Sequence, residues 1–334
     1  MSSRASKRRR HKVLARVRVV ALCVAVLAAF FAAGCDEISA RREIQEGNDL
    51  YKEGRYEQAR DKFEAALRKK PGLAIGHHNL GITYYKLMKR GDSSEENKVI
   101  ADQAAEHLAT YLKSYPKDNA IRDLITGIWV DTDQVDRAID FWKLEHDKYP
   151  KNKDVIEKLA GLAYKSGDWK GAIDWYHVEV DVSEDDDGRA SGYLSIGRLC
   201  FNKLFNNKEK TQGALRIEVA DVGIQALQQA ADVLHVSDTL SKVSAAQAGD
   251  TPGNDRPAIS FDSRAAEILG LIGGLNQQRA LAEGAVWAYY IDTAFWQDHL
   301  RAVNVLNTEA QRLAAQKSAA DKAQGDQGQP AEGT

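Results

Sequence analysis

Small and apolar residues return along this chain at a fixed interval. Ala59, Ala104, Ala138 and Ala172 are separated by 45, 34 and 34 residues, and four residues after each stands a large side chain: Phe63, Leu108, Trp142 and Tyr176. Pro71, Pro116 and Pro150 keep the same 45 and 34. The longer spacing is one 34-residue period carrying an insertion of 11, the polar and charged stretch Arg90–Ile100. A step of four and then three, as in Ala59, Phe63 and Ala66, places side chains on one face of a helix, and a proline beyond such a run stops it. The pattern therefore predicts paired helices. The small residues let two helices approach, and the large one fills the space beside its neighbour. One pair cannot bury its own apolar face, so neighbouring pairs must stack.

The first period reads Gly47-x2-Leu50-x3-Gly54-x4-Ala59-x3-Phe63-x2-Ala66-x4-Pro71. This resembles the tetratricopeptide repeat (TPR), which implies an all-α fold: a right-handed superhelix (solenoid) of about five to six helix pairs. The second period opens near Ala74 with Leu80-Gly81 and Tyr84, and its insertion is expected as a longer inter-helix loop with an extended second helix. The third spans Asn119–Asn152. The fourth runs from Lys153 to Glu184 with Gly167, Trp169 and Ala172 in phase, and an acidic stretch ending at Asp187 replaces its proline. A fifth is opened by Ile196-Gly197 and Phe201, and Gly223, Leu227 and Ala230 form its second helix after a further insertion, Asn206–Gly213. Gly249–Ile259 is rich in turn residues. A degenerate helical pair from Ser263 to Gln316 serves as terminal cap, with Trp287, Tyr289, Tyr290, Phe295 and Trp296 expected mostly in its core. Residues 317–334 have no apolar anchor and are expected without structure.

Charge changes the picture at the N-terminus. The formal net charge is −2, yet residues 1–34 hold eight Lys/Arg and no acid; the remainder carries 38 basic against 48 acidic residues, net −10. An acidic body gives no footing for nucleic acid. The basic run is followed by an uncharged apolar stretch from Val19 to Ala33, the length of a signal-peptide core and short for a membrane-spanning helix. It ends in Ala32-Ala33-Gly34-Cys35, which resembles the bacterial lipobox, with Ala32 where that family prefers leucine. The resemblance implies that 1–34 is a lipoprotein signal peptide, that Cys35 is lipidated, and that 35–39 is a linker to the solenoid at 40–316. Acylation would tether the chain to a membrane facing the periplasm, inner or outer, without a spanning helix. Cys200 is then the one free thiol, so no internal disulfide is available.

Residues suggestive of catalysis or metal binding fail on geometry. Gly192–Gly197 is one residue too long for a nucleophile elbow. Gly270, Gly273 and Gly274 follow no predicted strand. Cys200 lies on an apolar helix face without a neighbouring base, as a core thiol does. His77 and His78, adjacent on a helix, point about 100° apart. Ser183, Asp185, Asp187 and Gly188 mimic the start of a calcium loop, but Leu194 stands where its bidentate Glu belongs. No enzyme activity, cofactor or metal is expected.

Binding residues are better sought on the first helix of each pair, which the resemblance places along a concave groove. Asn48 and Asn79 match the two asparagines with which one TPR subfamily clamps a C-terminal carboxylate. Ile44, Ala120 and Leu124 replace its cations, and a carboxylate without cations is poorly compensated on leaving water. Tyr51-Lys52, Tyr85-Lys86 and Tyr164-Lys165 recur at one phase. Tyrosine offers a stiff surface with a polar tip, so such a stripe suits an extended or helical segment of a partner; the dipeptide could equally belong to the repeat framework. The expected function is a membrane-tethered scaffold or adaptor in cell-envelope assembly (outer-membrane, pilus or motility machinery), with envelope proteins or peptide segments as partners. The rival expectation is a regulator that docks peptidoglycan-processing enzymes.

Overall fold

The computed structural model describes residues 36–206, 211–248, 259, 262–282, 284 and 286–326, and among them no strand occurs. The signal peptide, Cys35, most of the turn-rich loop at 249–259 and residues 327–334 lie outside. The helices are α1 (36–52), α2 (Tyr56–Lys69), α3 (Ala74–Leu87), α4 (Glu95–Ser114), α5 (Asn119–Asp131), α6 (Val135–Lys148), α7 (Lys153–Lys165), α8 (Trp169–Val182), α9 (Asp186–Asn206), α10 (Gly213–Val233), α11 (Val236–Ala248), α12 (Arg264–Ala280) and α13 (Val286–Asp326). This all-helical arrangement is consistent with a TPR solenoid. It forms two compact units, 1–140 and 141–334, with the boundary inside α6.

In the first unit the repeated small residues occupy the helix seams. A Cβ built on Gly47 of α1 would lie 2.6 Å from the Phe63 ring of α2, and one on Gly81 of α3 would lie 2.7 Å from Leu108 of α4. Ala59, Ala104 and Ala138 are wholly buried, as is Leu108, and Phe63 is 1% exposed. A second signal runs in the same phase. The α1–α2 turn needs a left-handed residue, Gly54 (φ 77°), and the α5–α6 turn uses Asp133 (φ 58°) at the equivalent position. Aspartate is among the few side chains that tolerate this conformation.

The insertion at Arg90–Ile100 is a longer inter-helix loop, 88–94 against 53–55 between α1 and α2, running into a longer helix, as expected: α4 has 20 residues against 14 for α2. Asn97, 4% exposed, holds that loop. Its amide donates to Lys89 O (2.8 Å) and Asp92 O (2.6 Å), and its oxygen accepts from Lys89 N (2.8 Å). Gly91 (φ 75°) donates its N–H to Asp131 O at the end of α5, 3.0 Å away.

In the second unit the α7–α8 turn repeats the device with Gly167 (φ 95°), and Ala172 is fully buried. A Cβ on Gly197 of α9 would meet Leu227 of α10 at 2.4 Å, and one on Gly223 of α10 would meet both Cys200 and Leu275 at 2.7 Å. These contacts centre one core over α7 to α10 and α12. The fifth pair starts earlier than its apolar signature, because α9 begins in the acidic stretch. Asp185 accepts the Gly188 N–H (2.8 Å) as a helix cap, and Asp187 pairs with Arg264 of α12 (2.6 Å).

Three expectations need correction. The sequence pattern did not mark α11; His235 (φ 52°) breaks the path after α10, and Val236 and Val243 pack with Leu306 of α13. Residues 317–326, expected without structure, continue α13, since Ala, Lys and Gln are strong helix formers that need no core contact to extend a helix already begun. Trp287, Tyr289, Tyr290 and Phe295, expected in the core, are 42–70% exposed. Of these, Trp287 and Tyr290 share a helix face with Ala294, but α13 docks by another. Asp292 and Leu306 are buried, and Trp296, His299 and Val303 touch the glycines of α12. Trp296 is therefore the member of the cluster that turns inward.

The same substitution should act with opposite sign at two glycines of the second unit. Gly223→Ala forces a methyl against the Cβ of Cys200 and should destabilise by about 1–3 kcal/mol. Gly161→Ala in α7 meets nothing within 4 Å and should stabilise by about 0.5–1 kcal/mol through helix propensity. Denaturant unfolding of the two variants measures both; equal shifts of one sign would contradict the seam argument.

Candidate functional site

Between α1 and α3 two of the expected residues meet directly. The Asn79 amide donates to Asn48 Oδ1 across the two helices at 2.7 Å, and His78 Nδ1 lies 3.0 Å from Asn79 Oδ1. Asn48, Asn79, Tyr51 and Tyr85 are all half-buried, and Lys52 and Lys86 are exposed. The α3 helix is fixed at this level by Thr83, fully buried, whose hydroxyl donates to Asn79 O (2.7 Å). Ile44, in the place of a clamp cation, is 7% exposed and packs near Gly76.

The tyrosines are not equivalent. Tyr51 stands edge-on to Tyr56, ring centroids 5.1 Å apart, and burial raises its hydroxyl pKa. Arg90 hydrogen-bonds the Tyr85 hydroxyl and lies over its ring, 5.6 Å from the centroid. Arg90 also pairs with Asp131 (3.3 Å). The inserted loop thus supplies a cation beside the expected site that repeat phase could not reveal, because Arg90 lies outside the period. Lys52 is held by Asp49 at 3.3 Å.

In the second unit Tyr164 is half-buried against the core around Ala163 and Trp169, and Lys165 is exposed. Cys35 lies outside the described residues. No helix among the described residues is long and apolar enough to cross a membrane.

Titratable groups elsewhere are arranged for packing. His77 and His78 turn to different partners: His77 Nδ1 lies 2.9 Å from His107 Nδ1 on α4, and the His78 ring lies against Tyr111. Burial, and then the neighbouring His77, push His107 down to about 4. Cys200 is fully buried, and burial pushes its thiol up to about 12, which removes the thiolate a nucleophile needs. Among the described residues no group of three or more His, Cys, Asp or Glu is placed to hold a metal ion.

Glu179 of α8 is, with His146 and Gln278, one of three residues among those described with a buried side-chain atom lacking a hydrogen-bond partner. It is 2% exposed, its Oε2 has no hydrogen-bond partner, and burial followed by the charge of Glu157 raises it to about 7. A carboxyl that binds its proton more tightly when folded adds stability below its unfolded pKa of 4.5 and loses it as pH rises through 7. Glu179→Gln should therefore raise the melting temperature at pH 8 by several degrees and do little at pH 5. A difference independent of pH would show that Glu179 is not the titrating group.

Comparison with known proteins identifies the repeat. Residues 47–87 match the TPR repeat family. The match covers the last third of α1 and all of α2 and α3, and so Asn48, Asn79, Tyr51 and Tyr85. No curated protein matches the chain. YrrB, a TPR protein with an unusual peptide-binding site, is 14% identical, covering 57% of this chain and 84% of its own, at a TM-score of 0.30. A TPR repeats protein from Bacteroides fragilis is 12% identical over 78% of this chain and 98% of its own, at 0.36. PilF of Pseudomonas aeruginosa is 14% identical over the same shares, 78% and 98%, at 0.28. Likeness of this degree carries no argument about what the chain binds.

Proposed function

We propose that this chain is a lipid-anchored protein-binding scaffold of the bacterial cell envelope, holding an extended or helical segment of a partner on the face of its first helices. The observation that carries the reading is the Asn48–Asn79 rung with its half-buried tyrosines. Two primary amides share one hydrogen bond on a partly open surface, and each has more hydrogen-bonding capacity than that bond uses. Tyr51 and Tyr85 on the same two helices give large stiff contact area at low entropic cost. Lys86 adds a positive charge here, whereas those of Lys52 and Arg90 are met by Asp49 and Asp131, and it favours a partner segment carrying a carboxylate. The basic run, apolar stretch and lipobox-like Ala32–Cys35 supply the tether.

Crosslinking in intact cells with a tagged full-length chain tests both parts. Tyr51→Ala with Tyr85→Ala should weaken partner capture about tenfold or more, since interface aromatics each contribute about 1 kcal/mol or more, while helical content stays intact. Cys35→Ala should release the chain from the membrane fraction. Undiminished capture by the folded double variant rejects the face, and unchanged membrane association of the Cys35 variant rejects the anchor.

A further inference from the structure

The first three turns of α13 carry an apolar surface that the fold leaves uncovered. Val286 is 71% exposed, Trp287 70%, Tyr290 67%, Ile291 48% and Phe295 48%, with Leu281 just before the helix at 59%. A helix apolar on most of its circumference belongs in an interior. The position explains the oddity. In the second unit each hairpin closes the one before it: Leu275 of α12 reaches Gly223 of α10, and Gly274 of α12 receives Phe201 of α9. The α12–α13 pair is the last such hairpin among the described residues. Terminal repeats need a polar outer face to stand in water, and this one presents aromatics.

Its chemistry selects the occupant. From Val286 to Gln297 the one charged residue is Asp292. It is 2% exposed and bound by two nitrogens of Arg279 at 2.7 Å. The next charges along α13, Asp298 and Arg301, pair with each other. A surface without charge has nothing to repel its own copy. It also lacks the Lys or Arg that attract an aromatic helix to an anionic lipid surface, and it offers no charge to steer a distinct acidic or basic partner. The exposed side chains amount to roughly 800–1,000 Å² of mostly apolar area, what one partner contributes to a standard stable interface. Trp and Tyr at its centre are the side chains that carry most binding energy in such contacts.

We propose that this end face joins two copies of the chain, α13 against α13, about a twofold axis. One patch serves both partners, so a twofold contact closes without leaving a free edge. The contact is independent of the α1–α3 face: it lies wholly in the second unit.

Light scattering of the detergent-solubilised full-length chain should give the mass of two chains, corrected for bound detergent. Trp287→Asp with Tyr290→Asp should give the mass of one with helical signal unchanged because both side chains are exposed, and a melting temperature lowered only by the loss of the subunit contact. Tyr51→Ala with Tyr85→Ala should leave two. As a second readout that perturbs the face less, Tyr290→Cys should form a reducible crosslink between copies under mild oxidation, and Lys165→Cys should not. A one-chain mass for the unaltered protein overturns the proposal. So does a two-chain mass that persists in the folded double aspartate variant, or a failure of Tyr290→Cys to crosslink above Lys165→Cys.

Discussion

The structure depends on helix axes coming close enough that one residue at each seam must have little or no side chain. Gly47, Gly81, Gly197 and Gly223 each lie where a Cβ would sit 2.4–2.7 Å from an atom of the facing helix, and Ala59, Ala104, Ala138 and Ala172 are fully buried. Phe63, Leu108 and Leu227 fill the space those positions leave. Small and large therefore come as pairs fixed by geometry, because a methyl gained on one side must be lost on the other at interior packing density. The 34-residue period is the sequence trace of that exchange.

The seams fix distance, and the turns fix direction. Gly54, Asp133 and Gly167 share one phase and one left-handed conformation, so the path out of α1, α5 and α7 is the same in each hairpin. The second repeat departs from it: Met88 there is extended (φ −68°, ψ 141°), and the left-handed residue comes later, at Gly91. Asn97 makes the detour possible by meeting the Lys89 and Asp92 backbone groups that the longer loop would otherwise bury unpaired. The insertion is thereby held to α5 through Gly91 and Arg90, and it places a guanidinium on Tyr85. An interruption of the repeat has become part of the candidate binding face.

What could be read from the sequence follows from which constraints are periodic. Four hairpins, their seams and the buried alanines were legible because each repeats the same exchange of volume, and the fifth because Gly197, Gly223 and Leu227 keep it. Asn48 and Asn79 were legible as candidates through the family resemblance, but their contact was not, because they lie 31 residues apart and so out of phase with the repeat. Arg90 on Tyr85 was not, since it comes from inserted residues with no phase. Nor was α11, whose sequence has neither the small-residue seam nor a proline stop. The α13 aromatics were misread because Trp287, Tyr290 and Ala294 satisfy helical spacing as well as any core face does. Periodicity reports that a helix has an apolar side; it does not report which side finds a partner within the chain. Here the docking side is set by Asp292, bound to Arg279, and by the α12 glycines that admit Trp296 and His299, so polar and small residues decide the packing and leave the aromatics outside.

The two surfaces left open differ in kind, and the difference bears on how the molecule works. The α1–α3 face mixes amides, phenols and cations that already have partners in the free chain, so a ligand there exchanges contacts and does not create them from nothing. That is the composition of interfaces that form and dissolve. The α13 face has no polar alternative to satisfy it in water, and leaving that much aromatic surface exposed invites nonspecific association. A solenoid that buries its terminal face against a copy of itself gains a permanent end and doubles the number of first-helix faces on one particle. In the proposed dimer, two modest sites on one particle would bind a repeated or clustered partner more tightly than either alone, by raising the effective concentration for the second contact. A weak, exchangeable groove and a strong, apolar end are therefore complementary: the second makes the first sufficient.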